Sequence, residues 1–248
     1  MPRWILSGLG LLLVGCAASE PASQNLAQTA LVVDTHIDVP YRIHKTPADV
    51  AEATVGGDFD YPRALAGGLN AAFMSIYIPA GVDEAGEAFA FAERLIDQVE
   101  SLAAGAPTRF VLATCTKDVE LVLGTAAVAL PLGMENGGPI MGSMEKLKHF
   151  RDRGVRYITL THSKSNHISD SSYDDNRRWQ GLSEFGKRLI PEMNRLGIMV
   201  DVSHVSDAAF WQALGLSKVP IIASHSSLRH FTPGFERNMS DDMVLSLI

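Results

Sequence analysis

The chain has 248 residues, with 21 Lys+Arg against 28 Asp+Glu and a formal net charge of −7. Hydrophobic residues make up 46% and charged residues 20%, a globular balance that excludes disordered, collagen-like and coiled-coil chains, and the length suffices to bury a sizeable core. The acidic balance without any Lys/Arg run argues against nucleic acid as a partner, and two cysteines cannot build a disulfide framework.

Residues 1–16 read as an address rather than as part of the fold. Arg3 gives a positive start, and an apolar run over residues 4–14 is broken only by Ser7, Gly8 and Gly10. The run is shorter than the ~20 residues a membrane span needs and matches a secretory signal. It ends in Leu13-Val14-Gly15-Cys16, which resembles a bacterial lipobox. Cys16 is therefore the expected lipidation site, and an exported, membrane-anchored lipoprotein of the bacterial cell envelope is the expected location. Residues 17–29, rich in Ala, Ser and Gln without periodicity, are expected to form a flexible tether, with residues 30–248 as the folded domain. Cys115, among apolar neighbours, reads as a small semi-buried residue and not as a nucleophile.

After the tether one pattern recurs: a short apolar run, a chemically useful residue at its C-terminal end, then a helical stretch. Residues 31–33 lead into Asp34-Thr35-His36-Ile37-Asp38. Residues 71–78 are strand-like, closed by Pro79, and residues 84–102 carry apolar residues at helical spacing. Residues 127–132 lead into Gly133-Met134-Glu135-Asn136-Gly137-Gly138, followed by a helix over 144–153 that stops at Gly154. Residues 155–160 lead into Thr161-His162-Ser163, and a helix over 183–196 stops at Gly197. Residues 198–202 lead into Ser203-His204, with a helix over 206–214, and residues 219–223 lead into Ser224-His225. A last helix starts near Ser240. Strands alternating with helices predict a parallel α/β sheet, either doubly wound or closed. His and acidic residues at the ends of five strands favour the closed form, because the strand ends of a TIM-like (β/α)8 barrel converge on one mouth. About six of the eight strands are present.

His36 and Asp38 stand two apart at one strand end, and Glu135, His204 and His225 stand at three others. Three imidazoles and two carboxylates suit zinc or a similar divalent ion. Five ligands exceed the three that a single catalytic zinc usually takes from protein, so two ions sharing a bridging carboxylate fit the count better, with Glu135 as the natural bridge. His44, His149, His167 and His230 lie away from strand ends and read as structural or exposed. Asp34 either supports His36 or only ends the strand, and the polar stretch 163–179 either shapes the pocket or is surface.

Several segments resemble the membrane dipeptidase (renal dipeptidase, peptidase M19) family in order and spacing. They are Val33-Asp34-Thr35-His36-Ile37-Asp38-Val39-Pro40, Gly133-Met134-Glu135-Asn136-Gly137, Tyr157-Ile158-Thr159-Leu160-Thr161-His162, Asp201-Val202-Ser203-His204-Val205-Ser206, Ala223-Ser224-His225-Ser226-Ser227 and Arg237-Asn238-Met239-Ser240-Asp241-Asp242. The resemblance runs from about Leu31 to Ile248. It implies a metal-dependent hydrolase barrel with two zinc ions, His36 and Asp38 on the first, His204 and His225 on the second, and Glu135 across both. It implies a dipeptidase acting through metal-activated water, with Glu135 and His162 catalytic. His162 would touch the substrate near the scissile carbonyl, and Arg237 would pair with the C-terminal carboxylate of the dipeptide. The family continues beyond the point matched by Ile248, through two further strands and a Gly-x-Asp-Phe-Asp-Gly-like segment whose aspartate assists proton transfer; the chain is thus expected to be C-terminally truncated relative to it. Two alternatives stand beside this reading: another metal-dependent amidohydrolase acting on N-acyl amino acids or lactams, and a non-catalytic metal-binding fragment. The oligomeric state is open, a homodimer included.

Overall fold

The computed structural model describes residues 22–247. These run α1 (Ala22–Thr29), β1 (Val33–Ile37), α2 (Val39–Lys45), α3 (Tyr61–Ala66), β2 (Ala71–Tyr77), α4 (Ala80–Glu84), α5 (Ala88–Gly105), β3 (Phe110–Ala113) and α6 (Thr116–Glu120), then β4 (Val128–Glu135), α7 (Met144–Asp152), β5 (Val155–Thr159), α8 (Glu184–Leu196), β6 (Met199–Asp201), α9 (Asp207–Leu216) and α10 (Asp241–Ser246). Helix starts follow from side-chain chemistry. Ser143, Ser183, Ser206 and Ser240 each accept a hydrogen bond from the backbone N–H three residues on, opening α7, α8, α9 and α10. Gly197 in the left-handed region (φ 69°) ends α8.

The strands form one all-parallel sheet in the order β1-β2-β4-β5-β6. β4 is the pivot. β2 runs along one of its edges, from Ala71 opposite Ala129 to Tyr77 opposite Glu135. Along the other edge its first half pairs with β3 and its second half with β5. All eight β4 residues are buried, as a strand flanked on both edges and packed on both faces must be. Helices cover the outside with apolar stripes: Phe91, Leu95, Ile96 and Val99 of α5, and Leu189, Ile190 and Met193 of α8, are buried. The sheet curls so that the Thr35 hydroxyl on β1 donates to the carbonyl of Ser224, at the far end of the chain path. This is the curl of an incomplete α/β barrel, as expected from the strand-end chemistry.

Some elements differ from expectation. Residues 219–223 form no regular strand; Ile222 alone bridges to Asp201, although its N–H donates to Val200 O (2.9 Å) and its carbonyl accepts from Val202 N (2.8 Å). Pro220, which lacks an N–H, limits the ladder. The sixth strand is instead β3, four residues that read only as apolar surroundings of Cys115. The stretch 84–102 divides at Gly86 (φ 75°) into α4 and α5. The expected tether is helical over Ala22–Thr29, consistent with its good helix formers, and the Gln28 side chain donates to Ala66 O (2.9 Å). Cys115 is exposed and not semi-buried, because it sits at the start of the surface helix α6. The expected signal and Cys16 lie outside the described residues. Among those described, no helix is long and apolar enough to cross a membrane.

Candidate metal centre

Glu135 is the last residue of β4, set between Tyr77 on β2 and Thr159 on β5. Its carboxylate is buried, and four imidazoles close on it. His204 Nε2 lies 3.0 Å and His225 Nε2 3.1 Å from Oε1, with His162 Nε2 at 3.6 Å; His36 Nε2 is 3.4 Å from Oε2. Burial alone would favour the neutral acid, but hydrogen bonds from His204, His225 and His36 hold the carboxyl well below its usual range.

Each histidine comes from a different strand end. His36 lies in β1, beside an irregularity in the β1–β2 register between Asp34 and Ile37. Asp34 accepts from the backbone N–H of His36 (3.0 Å), so it supports His36 through the main chain. Asp38 stands at the N-terminus of α2 beyond the strand without a capping side-chain hydrogen bond, its Oδ1 3.5 Å from His36 Nε2 and its side chain largely exposed. His204 follows β6 in the left-handed region (φ 70°), an uncommon conformation for a residue with a Cβ. His225 follows Ile222, and its ring stacks on His36 with centroids 3.7 Å apart.

The imidazole charges divide. Burial lowers His204 to about 4, with the Arg237 charge acting in the same direction, and burial also lowers His162. Burial works against His36 as well, but Asp38 and Glu135 outweigh it and raise it to about 9. The Nε2 atoms of His204 and His225 lie 2.8 Å from each other and 3.0 and 3.1 Å from the same carboxylate oxygen, Glu135 Oε1. That crowding of nitrogen and oxygen donor atoms fits shared cations. Two groups have donor atoms within 4.8 Å of one another, His36–Glu135–His225 and Glu135–His162–His204, with Glu135 common to both. The structure therefore brings His36, Glu135, His204 and His225 together as expected, adds His162 to the donor set, and leaves Asp38 at the rim.

Buried partners that the sequence reading left without roles fix the ring orientations. Ser224 Oγ donates to Asp201 Oδ2 (2.6 Å), so it accepts from Nδ1–H of His225 (2.7 Å), which turns the His225 Nε2 toward Glu135. Asp201 is itself saturated by the Thr159 hydroxyl and by the N–H groups of Ser203 and Ser224. His36 Nδ1 pairs with the Tyr157 hydroxyl at 2.7 Å. Room for that ring exists because residue 133 is glycine: a Cβ there would lie 2.0 Å from Tyr157 Cζ. The pairing of Ser224 with His225 was visible as adjacent residues; the Tyr157–Gly133 packing spans two strands and leaves no local signature.

The stretch 163–179 turns inward. The buried Asp170 carboxylate accepts from the N–H groups of Arg178, Trp179 and Gly181, and Asn166 Nδ2 donates to Asn136 Oδ1 (2.9 Å) and Leu160 O (2.8 Å). It contributes Tyr173 to a cavity of about 550 Å³ that also holds the histidines, Glu135, Tyr77, Phe235 and Arg237. Arg237 is half-buried. Its guanidinium contacts His204, Ser226 Oγ (2.8 Å) and His225 O (2.9 Å), and makes no ion pair among the described residues. Burial lowers its pKa, with the nearby Tyr173, Asp201 and Glu135 acting in the opposite direction. A larger apolar cavity of about 650 Å³ opens at the other end of the strands, among Val33, Phe73, Pro131 and Met199, away from this chemistry.

The fold and this centre define an α/β-barrel protein with a histidine–carboxylate cluster at its mouth. The chain belongs to the membrane dipeptidase family (peptidase family M19), whose model matches residues 21–248. It is similar to dipeptidase aclJ of Aspergillus oryzae, 32% identical over 198 residues that cover 77% of this chain and 47% of the relative. Among solved structures, the probable dipeptidase PvdM of Pseudomonas aeruginosa superposes with a TM-score of 0.82 at 26% identity, covering 91% of this chain and 59% of that one. A metallo peptidase of Rhodobacter sphaeroides, liganded with a phosphinate mimic of the dipeptide L-Ala-D-Ala, gives 0.79 at 25% identity, covering 88% and 71%. The chain spans about half the length of the curated relatives it matches.

Proposed function

We propose that this protein is a zinc-dependent dipeptidase that hydrolyses dipeptides with a free C-terminal carboxylate. The observation that carries the reading is the convergence of four imidazoles on one buried, ionised carboxylate beside an arginine that forms no ion pair among the described residues. Glu135 would bridge two ions, with His36 and Asp38 on one side and His204 and His225 on the other. Bound divalent ions supply an activated water and a polarised carbonyl at neutral pH. His162, kept neutral by burial, would offer a ring N–H to the carbonyl oxygen on which charge develops. The Arg237 fork matches a carboxylate bidentately, which selects short peptides and disfavours amides. The similarity to the Rhodobacter sphaeroides enzyme makes a D-residue on the C-terminal side worth including among substrates.

The test supplies the purified protein with zinc and measures metal content and turnover of Ala-Gly against Ala-Gly amide. The expected result is about two ions per chain and turnover of the free acid only, with Glu135→Gln losing both metal and turnover. Unchanged turnover in Glu135→Gln overturns the assignment; equal turnover of the amide favours an amidohydrolase without carboxylate selection. We further propose export and lipid anchoring through Cys16, supported by the residues of the leader alone. Failure of labelled palmitate to enter the protein, alike in wild type and Cys16→Ser, refutes it.

A further inference from the structure

We infer that Tyr173 and Phe235 form an aromatic corner that selects an apolar side chain on the C-terminal residue of the substrate; this rests on the dipeptide reading and extends it to a substrate class. The two rings come from different loops and meet edge to face with centroids 5.9 Å apart. Both line the metal-centre cavity, and both remain open to it, at 49% and 43% exposure. The rest of the cavity wall is dominated by imidazoles, carboxylates, a guanidinium and polar side chains. The corner is therefore an apolar surface inside a polar pocket, with nothing among the described residues covering it.

The rings are held in place and are not loose surface. Ser172 N–H donates to His204 O (2.8 Å), and Tyr173 N–H donates to Ser171 Oγ (3.1 Å). On the other loop, Glu236, next to Phe235, pairs with Arg177 (2.6 Å) and accepts from the backbone N–H of Asp207 (2.9 Å). Arg229 locks the same loop through both carboxylate oxygens of Asp207 (2.8 and 2.6 Å) and the carbonyl of Asn238 (2.8 Å). Preorganised aromatic faces give selectivity without an ordering cost at binding.

Position decides which substrate residue meets the corner. Arg237 lies against one side of His204 (3.1 Å from Nε to Nδ1), and the Tyr173 ring lies 5.8 Å from the same imidazole. Phe235 stands two residues before Arg237. A carboxylate on Arg237 fixes the carbon that bears it one bond away. The side chain on that carbon then falls beside Phe235 and Tyr173, whereas the N-terminal residue lies across the scissile bond.

The zinc-supplied full chain is assayed with Ala-Phe, Ala-Leu, Ala-Gly and Phe-Gly, in wild type, Phe235→Ser, Tyr173→Ser and the conservative Phe235→Leu and Tyr173→Phe. The kcat/KM ratio of Ala-Phe to Ala-Gly is expected to be about tenfold or more in wild type and the conservative variants. It falls to within about twofold in the serine variants, while the ratio of Phe-Gly to Ala-Gly stays constant throughout. Ratios within one preparation cancel any loss of folded protein. Calorimetric binding of Ala-Phe and Ala-Gly to the same proteins is the second readout. Turnover without C-terminal preference, or a shift confined to the N-terminal ratio, overturns the corner and leaves the dipeptidase reading intact. No turnover, with an Ala-Phe binding preference that the serine variants lose, overturns the dipeptidase reading and keeps the corner. Neither turnover nor preferential binding overturns both.

Discussion

Replacing Gly133 with alanine asks how tightly the β4–β5 contact is built around the centre. The new Cβ would lie 2.0, 2.3 and 2.5 Å from Tyr157 Cζ, Cε1 and Cε2. Carbon atoms settle about 3.5–4.0 Å apart, so the ring must retreat by about 1.5 Å. Tyr157 is fully buried and has no open space to enter, and a retreat of that size breaks its 2.7 Å bond to His36 Nδ1. Overpacking costs about 1–3 kcal/mol and a lost hydrogen bond about 1 kcal/mol, so Gly133→Ala is expected to destabilise by about 2–4 kcal/mol. Tyr157→Ala leaves a cavity instead and costs about 3–5 kcal/mol. In the double variant the methyl enters space vacated by the ring, so the combined loss falls short of the sum by about 2 kcal/mol. Urea unfolding of the four proteins measures the cycle. Additivity within about 0.5 kcal/mol would mean that the two residues do not compete for one space, and the packing argument fails.

Three other outcomes follow from the geometry. Tyr157→Phe keeps the ring but removes the hydroxyl partner of His36, and is expected to weaken metal binding about 10–100-fold in a chelator competition. Asp170→Ala strands the buried N–H groups of Arg178, Trp179 and Gly181, with an expected loss of about 3 kcal/mol in urea unfolding and earlier proteolysis within 163–182. His167 carries a buried Nε2 without a partner, and burial lowers its pKa from 6.5 to about 4. Its folded form binds fewer protons than the unfolded chain, so its contribution is complete above pH 6.5 and is lost as pH falls from 6.5 toward 4. His167→Phe should flatten stability across that window; an unchanged slope would place the acid sensitivity elsewhere.

The candidate donors were legible because barrel topology gathers strand ends. His36, Glu135, His204 and His225 each close an apolar run, and the curl of a barrel sheet brings the ends of such runs to one mouth. The nearness of His162 to Glu135 follows from the same rule, though its place among the donors depends on how far the loop after β5 turns inward. What escaped reading is whatever depends on contacts between strands. β3 is too short to show a period. The fit of the Tyr157 ring over Gly133 is a relation between β4 and β5, and the strand expected at 219–223 shrinks to one bridge because Pro220 cannot donate. Asp170 and Asn166 look like ordinary loop polars in sequence, yet their role is to satisfy backbone groups brought inward by residues far along the chain.

His204 follows β6 with φ at 70°, a conformation that costs a side chain bearing a Cβ about 1 kcal/mol and costs glycine almost nothing. A library at this codon screened only for heat resistance should therefore drift toward glycine or asparagine. Histidine will persist only where the chemistry of its ring is under selection. Position 204 thus works as a reporter in related genomes: its loss marks lineages in which the scaffold has outlived its reaction.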